Sequence, residues 1–156
     1  LQERRIVETG QLTGWRRWSW LVPAAAVVAV DQFTKEIALD RLSRGAIQVV
    51  GPVWFRLTFN RGVAFGLAGQ WGWPVIAFVA VAVAVLVRLA LRARDRLLLV
   101  GLGLVIGGAL SNLGDRLFRA RGVVDFIAVG FWPAFNLADA AVVVGCVMCA
   151  FWLIRQ

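Results

Sequence analysis

Four stretches of the chain are apolar over about the length that crosses a bilayer, and shorter mixed segments separate them. A spanning helix needs roughly 20 mostly apolar residues. Residues 18–39, 71–91, 97–114 and 134–154 meet that requirement and are expected to be helices. The second carries only Arg88, the third no charge and the fourth only Asp139, whereas the first holds Asp31, Lys35 and Glu36 in its second half. Between the first two runs the pattern changes. Phe55, Leu57 and Phe59 alternate with Arg56 and Thr58, the period of a half-buried strand, and Gly51-Pro52 before them signals a turn. Residues 46–69 are therefore expected to form a small outer β element. Trp54, Trp71, Trp73 and Trp132 fall where interfacial aromatics sit. The predicted architecture is an all-α membrane protein: four transmembrane helices with a small extracytoplasmic β-cradle, in one membrane-embedded domain spanning 1–156. Residues 1–14 are polar and expected to be mobile. They show no cleavable-leader pattern, so the first apolar run is expected to remain as an anchor.

Composition strengthens the membrane reading. The chain is 60% hydrophobic over 156 residues, with a mean hydropathy of +0.76, against roughly 45–50% apolar in an average soluble domain. The formal net charge of +8 admits either nucleic acid or an anionic membrane surface as a partner. Because the arginines lie at the ends of apolar runs, anionic lipid is the expected partner and nucleic acid is not. The stretch Arg88–Arg96, where the second run ends and the third begins, is short and holds Arg88, Arg92, Arg94 and Arg96. Short basic loops stay in the cytoplasm, so both termini are expected there, with residues 40–70 and 116–133 facing outward.

The chain has no histidine, which removes the commonest zinc ligand and the usual general base. Cys146 and Cys149 form a C-x-x-C string inside an apolar run, with no second pair, and read as small packing residues. No metal and no cofactor are expected. Acid–base chemistry then falls to carboxylates, and polar groups within spans are costly enough to call for a reason.

In the first helix Asp31, Thr34 and Lys35 share a face; alone, they are as easily a local ion pair. In the third, Gly103, Gly107 and Ser111 make a ridge of small residues suited to close packing, followed by Asn112, Asp115 and Arg116, which alone read equally well as a helix end with its own ion pair. Asp125 lies among apolar neighbours in the outer segment, and taken alone is a solvated loop acid. Asn136 and Asp139 share a face at the start of the fourth helix, and the bend at Gly130 and Pro133 allows the chain to fold back and bring Asp125 towards Asp139. Two carboxylates in a poorly hydrated cleft would share one proton, take a proton from water and give one to a leaving amine. The residues themselves reach a possible aspartic hydrolase in a membrane and no further.

Taken together, the strings Asp31-Gln32-Phe33-Thr34-Lys35, Asn60-Arg61-Gly62-Val63-Ala64-Phe65-Gly66, Gly107-Gly108-Ala109-Leu110-Ser111-Asn112-Leu113-Gly114-Asp115-Arg116, Val123-Val124-Asp125-Phe126 and Pro133-Ala134-Phe135-Asn136-Leu137-Ala138-Asp139 resemble the lipoprotein signal peptidases (signal peptidase II) of bacteria. The resemblance implies Asp125 and Asp139 as the catalytic pair, with Asp31, Lys35, Asn60, Gly62, Asn112, Asp115, Arg116 and Asn136 binding substrate or supporting the site. It implies cleavage of a diacylglyceryl-modified prolipoprotein just before the lipidated cysteine, at the outer face of the bacterial cytoplasmic (inner) membrane. It also implies inhibition by globomycin. Asn60, Asn112 and Arg116 are expected to meet the substrate backbone. Ser111 stands where the family usually has glycine and, being small, is expected to matter little; Val63 stands where alanine is common and is expected to alter the loop near substrate. The main rival is a small proton- or ion-coupled transporter, which intramembrane Asp and Lys would also suit. Such transporters often carry inverted repeats, and none is visible. A magnesium-dependent lipid-headgroup enzyme and a non-enzymatic scaffold fit the distribution of acids less well.

Overall fold

The computed structural model describes residues 18–60 and 72–155. The expected mobile segment 1–14, the part of the outer β segment beyond Asn60, Gly62 and Val63 lie outside the described residues. The order of elements is α1 (Leu21–Arg41), β1 (Ile47–Val50), β2 (Val53–Asn60), α2 (Gly72–Arg92), α3 (Arg96–Phe118), β3 (Val123–Val129) and α4 (Leu137–Ile154).

The helices follow the apolar runs, and their ends follow local chemistry. Asp95 starts α3 by accepting hydrogen bonds from the backbone N–H groups of Leu97 at 2.8 Å and Leu98 at 3.1 Å. The helix then continues about one turn past Gly114, because Asp115 and Arg116 find partners on it. Helix α4 starts at Leu137 rather than 134. The residues before it are extended, and Phe135 exchanges backbone hydrogen bonds with Ile127 at 2.9 Å in each direction. Asn136 then caps the helix from an extended backbone conformation, and its side chain and that of Asp139 form a reciprocal capping box.

Helix α3 packs against all three other helices, whereas α2 touches only α3 among the described elements. Half of α3's apolar window is buried by protein, against 11% in each of α2 and α4, so α3 is the axis of the bundle. Its glycines permit this. A Cβ on Gly107 would stand 2.6 Å from the Ala24 carbonyl oxygen of α1, and one on Gly108 would collide with the Ala138 carbonyl oxygen of α4. Trp20, Ala24, Val83, Ala90, Leu99, Leu102 and Ile106 form the core between α1, α2 and α3.

Helices α2, α3 and α4 are long and apolar enough to cross a membrane, and Phe78, Val81, Val85, Val143, Val147 and Phe151 leave broad apolar surfaces outward. Helix α1 has the length but more charge. Its Asp31 and Lys35 are fully buried against protein while Val30, Phe33 and Ile37 face outward. The molecule is thus a mostly helical membrane protein carrying a small sheet.

That sheet is antiparallel in the order β1-β2-β3. Gly51, at φ +49°, makes the turn between β1 and β2. The alternation seen in the sequence is only weakly expressed in β2, because both of its faces stay partly exposed. Strand β3, expected only as an outer segment, is the buried one: Val123, Val124, Asp125 and Phe126 are all covered. Phe126 packs with Ala38 of α1 and with Leu42 just past its end, and Leu57, Ile127 and Leu137 close around them. This second cluster fixes the sheet over one end of the bundle.

Candidate active site

At the sheet end of the bundle α1, α3, β3 and α4 each present polar side chains to the same interior. Asp31, Lys35, Asn112, Asp115, Asp125 and Asn136 are all buried. Lys35 is the centre of this cluster. Its ammonium group lies 2.6 Å from Asp31 Oδ2 on its own helix and 2.7 Å from Asp115 Oδ2 on α3, and donates to Asn112 Oδ1 at 2.9 Å. The i,i+4 pairing of Asp31 and Lys35 expected from the sequence is therefore present, but as part of a larger network. Asp31 also accepts from Ser111 Oγ at 2.7 Å and from the backbone N–H of Ala138 at 2.8 Å, tying α1 to the first turn of α4.

The partner expected for Asp115 is different. Arg116 turns away and donates to the Asn112 carbonyl at 3.1 Å, while its buried Nε has no partner among the described residues. Arg119, one turn on, takes Asp115 Oδ1 at 2.9 Å and also reaches Gln32 and Glu36. Charges of alternating sign thus run from the interior to the rim: Asp31, Lys35, Asp115, Arg119, Glu36. Gln32 joins it by donating to Ser111 Oγ at 2.9 Å and Asp115 Oδ1 at 3.0 Å. Gln32, Glu36 and Arg119 were not singled out from the sequence. The four-residue step from Asp115 to Arg119 was the available signal. Ser111, expected to be neutral for its size, holds two of these contacts with its hydroxyl.

Asp125 and Asp139 meet around Asn136. The Asn136 Nδ2 group donates to Asp125 Oδ1 at 2.7 Å, and lies 3.1 Å from Asn112 Oδ1. Asn136 Oδ1 accepts from the Asp139 backbone N–H at 2.9 Å, and Asp139 Oδ2 accepts from the Asn136 backbone N–H at 3.1 Å. Asp139 Oδ1 accepts from Asn112 Nδ2 at 2.8 Å. Asn60 at the end of β2 also hydrogen-bonds Asp125. Thus the amide of Asn112, expected to face substrate, is engaged at both ends within the protein.

The electrostatics are those of two acids that cannot both be charged at little cost. Burial, and then the charge of Asp139, push the pKa of Asp125 from the ordinary 3.8 up to about 6, against the opposing amide hydrogen bonds of Asn136 and Asn60 and the charge of Lys35. A weakly acidic carboxyl beside one held by donors at both oxygens has the means to hold and move a proton at neutral pH.

Comparison with known proteins gives the family. The sequence profile of signal peptidase (SPase) II matches residues 23–155. The chain belongs to the signal peptidase II family. It is 41% identical over 149 residues to the lipoprotein signal peptidase of Rhodococcus jostii (strain RHA1), covering 88% of this chain and 73% of that one. It is 42% identical over 136 residues to the lipoprotein signal peptidase of Azoarcus sp. (strain BH72), covering 81% and 77%. A bacterial membrane enzyme solved by the in meso method superposes with a TM-score of 0.80 at 25% identity, covering 88% of this chain and 94% of that one. Signal peptidase II membership makes this chain a protease that removes signal peptides from prolipoproteins, and the transporter reading is not favoured.

Proposed function

We propose that this protein cleaves diacylglyceryl-modified prolipoproteins just before the lipidated cysteine by an aspartic mechanism, with Asp125 and Asp139 as the catalytic pair. The observation that carries the reading is the grip of Asn136 on both acids, which joins a strand residue and a helix residue that the chain separates. Asp139 accepts a donor at each oxygen, which orients it to draw a proton from an attacking water. Asp125, with its raised pKa, is suited to hold the proton that the leaving amine takes. Water adds to the scissile carbonyl carbon, the tetrahedral intermediate collapses with cleavage of the C–N bond, and the pair ends with its shared proton restored. Arg116, whose Nε has no partner among the described residues, is suited to bind a substrate carbonyl oxygen. Gly62 would bind substrate or support the site.

All four helices cross the membrane in this reading, with the site towards the outer face of the bacterial inner membrane. The basic segment between α2 and α3 and both termini then lie in the cytoplasm, next to anionic lipid. A lipidated substrate arrives in the bilayer with its scissile bond near headgroup level, where the site lies. Globomycin-like inhibitors would compete for the same space. The test is cleavage of a lipidated prolipoprotein by the purified protein in detergent. Asp125→Asn and Asp139→Asn are each expected to fold and to lose cleavage, and chelators to have no effect. Full activity in either variant would remove that residue from the pair.

A further inference from the structure

We propose that Lys35 is a positioning residue for the hydrolytic step: it fixes the side-chain amide of Asn112 in the one orientation that donates to Asp139. The inference rests on the reading of Asp125 and Asp139 as the reacting pair, and adds a residue that touches neither of them.

The argument is one of donors and acceptors. A lysine ammonium group can only donate, an ionised carboxylate can only accept, and an asparagine amide can do either depending on which way it is turned. Asn112 stands between the two kinds, with Lys35 Nζ at 2.9 Å on its oxygen side and Asp139 Oδ1 at 2.8 Å on its nitrogen side. Turning the amide over would set NH2 against an ammonium group and a carbonyl oxygen against a carboxylate. It would also set NH2 against the Asn136 Nδ2 group, which now lies 3.1 Å from Asn112 Oδ1. Asn136 uses the same nitrogen to donate to Asp125. One cation therefore sets the sense of the Asn112 amide and with it the hydrogen bond that Asp139 receives, while Asn136 takes its sense from its cap on the Asp139 N–H.

Lys35 is itself held against rotation. Its three donors go to Asp31 on α1, Asp115 on α3 and Asn112 on α3, and it is fully buried. Asp31 is held by Ser111 and Ala138, and Asp115 by Gln32, Arg119 and the Val124 N–H. Two carboxylates neutralise the ammonium charge and leave one of its three N–H groups to be satisfied. Asn112 Oδ1 takes that third N–H, which leaves the amide only its NH2 side to present to Asp139.

The test uses the purified full chain in detergent with a lipidated prolipoprotein, reading kcat and KM separately and following thermal unfolding of every variant. Asn112→Leu removes the amide while leaving Lys35 its two carboxylates. It is expected to fold and to lower kcat on the order of tenfold to a hundredfold, the scale of one charge-assisted hydrogen bond, with KM unchanged. Lys35→Met is expected to lower kcat likewise, and to lower it no further when combined with Asn112→Leu. Should Lys35→Met not fold, the variant combining Asp31→Asn, Lys35→Met and Asp115→Asn removes the buried charges together and takes its place in the same comparison. A Lys35 effect that multiplies with that of Asn112→Leu, or a folded Lys35 variant with unchanged kcat, would overturn the inference. Asp139→Asn is the control: if it cleaves at the parent rate, the assignment of the acid pair fails. If it is inactive while the Lys35 variants keep full kcat, only the positioning role fails.

Discussion

At Asp125, burial under the sheet and the charge of Asp139 act in the same direction, and the two amide donors do not fully offset them. The folded protein therefore binds this proton more tightly than the unfolded chain does. The stability this contributes is fully present below pH 3.8 and is lost as the pH rises through about 6. The span corresponds to roughly 3 kcal/mol at most. Asp125→Asn, which carries no charge to bury, should gain thermal stability relative to the parent between pH 4 and 7, with little difference below that range; unfolding curves in detergent at several pH values check this. The sequence showed the pairing of Asp31 with Lys35 because both lie on one helix at a four-residue step. It did not show where the remaining donors of Lys35 go, because those acceptors come from α3, and no helical spacing on α1 contains them. Arg116 was matched to Asp115 as a neighbour in sequence, yet successive helical residues point about 100° apart, so Arg119 at the four-residue step takes that carboxylate instead.

Among the elements, α3 and α4 carry the closest approach, and the approach lies one residue from Asp139. A side chain on Gly108 meets the Ala138 backbone, which cannot rotate out of the way. Gly108→Ala should therefore push the first turn of α4 outward, lowering both cleavage and the melting temperature. Gly114→Ala on the same helix meets no atom within 4 Å among the described residues. It should leave activity intact and leave stability equal or higher by about 0.5–1 kcal/mol, the helix-propensity difference between the two residues. Measuring both variants side by side separates contact from propensity. The ridge of small residues was legible as a packing surface; which glycine faced which helix was not, because that depends on the crossing of α3 with α1 and α4. Strand β3 was hidden for a related reason. Its residues are apolar on both sides of Asp125, without alternation, and only pairing with β2 and the bridge from Phe135 makes them a strand.

For the whole molecule, the apolar runs gave the helices and their order, since length and hydropathy are local properties. The collection of polar groups at one end emerged only when α1 and α3 ran towards the sheet and α4 away from it. The membrane orientation proposed above places the segment joining α2 and α3 on the cytoplasmic side. Trypsin added to sealed inverted membrane vesicles should then cut at Arg94, and trypsin added to sealed right-side-out spheroplasts should not; mapping the fragments decides it. The capping box of Asn136 and Asp139 has a consequence for how such a chain can vary. The carboxylate takes its bearing from the capping residue just before the helix, so one inserted codon between positions 136 and 139 would swing it by about 100°. Gains and losses of length across natural variants should therefore gather in the connection after α2 and spare the stretch from 123 to 139, where chain length sets the bearing of the proposed acid pair.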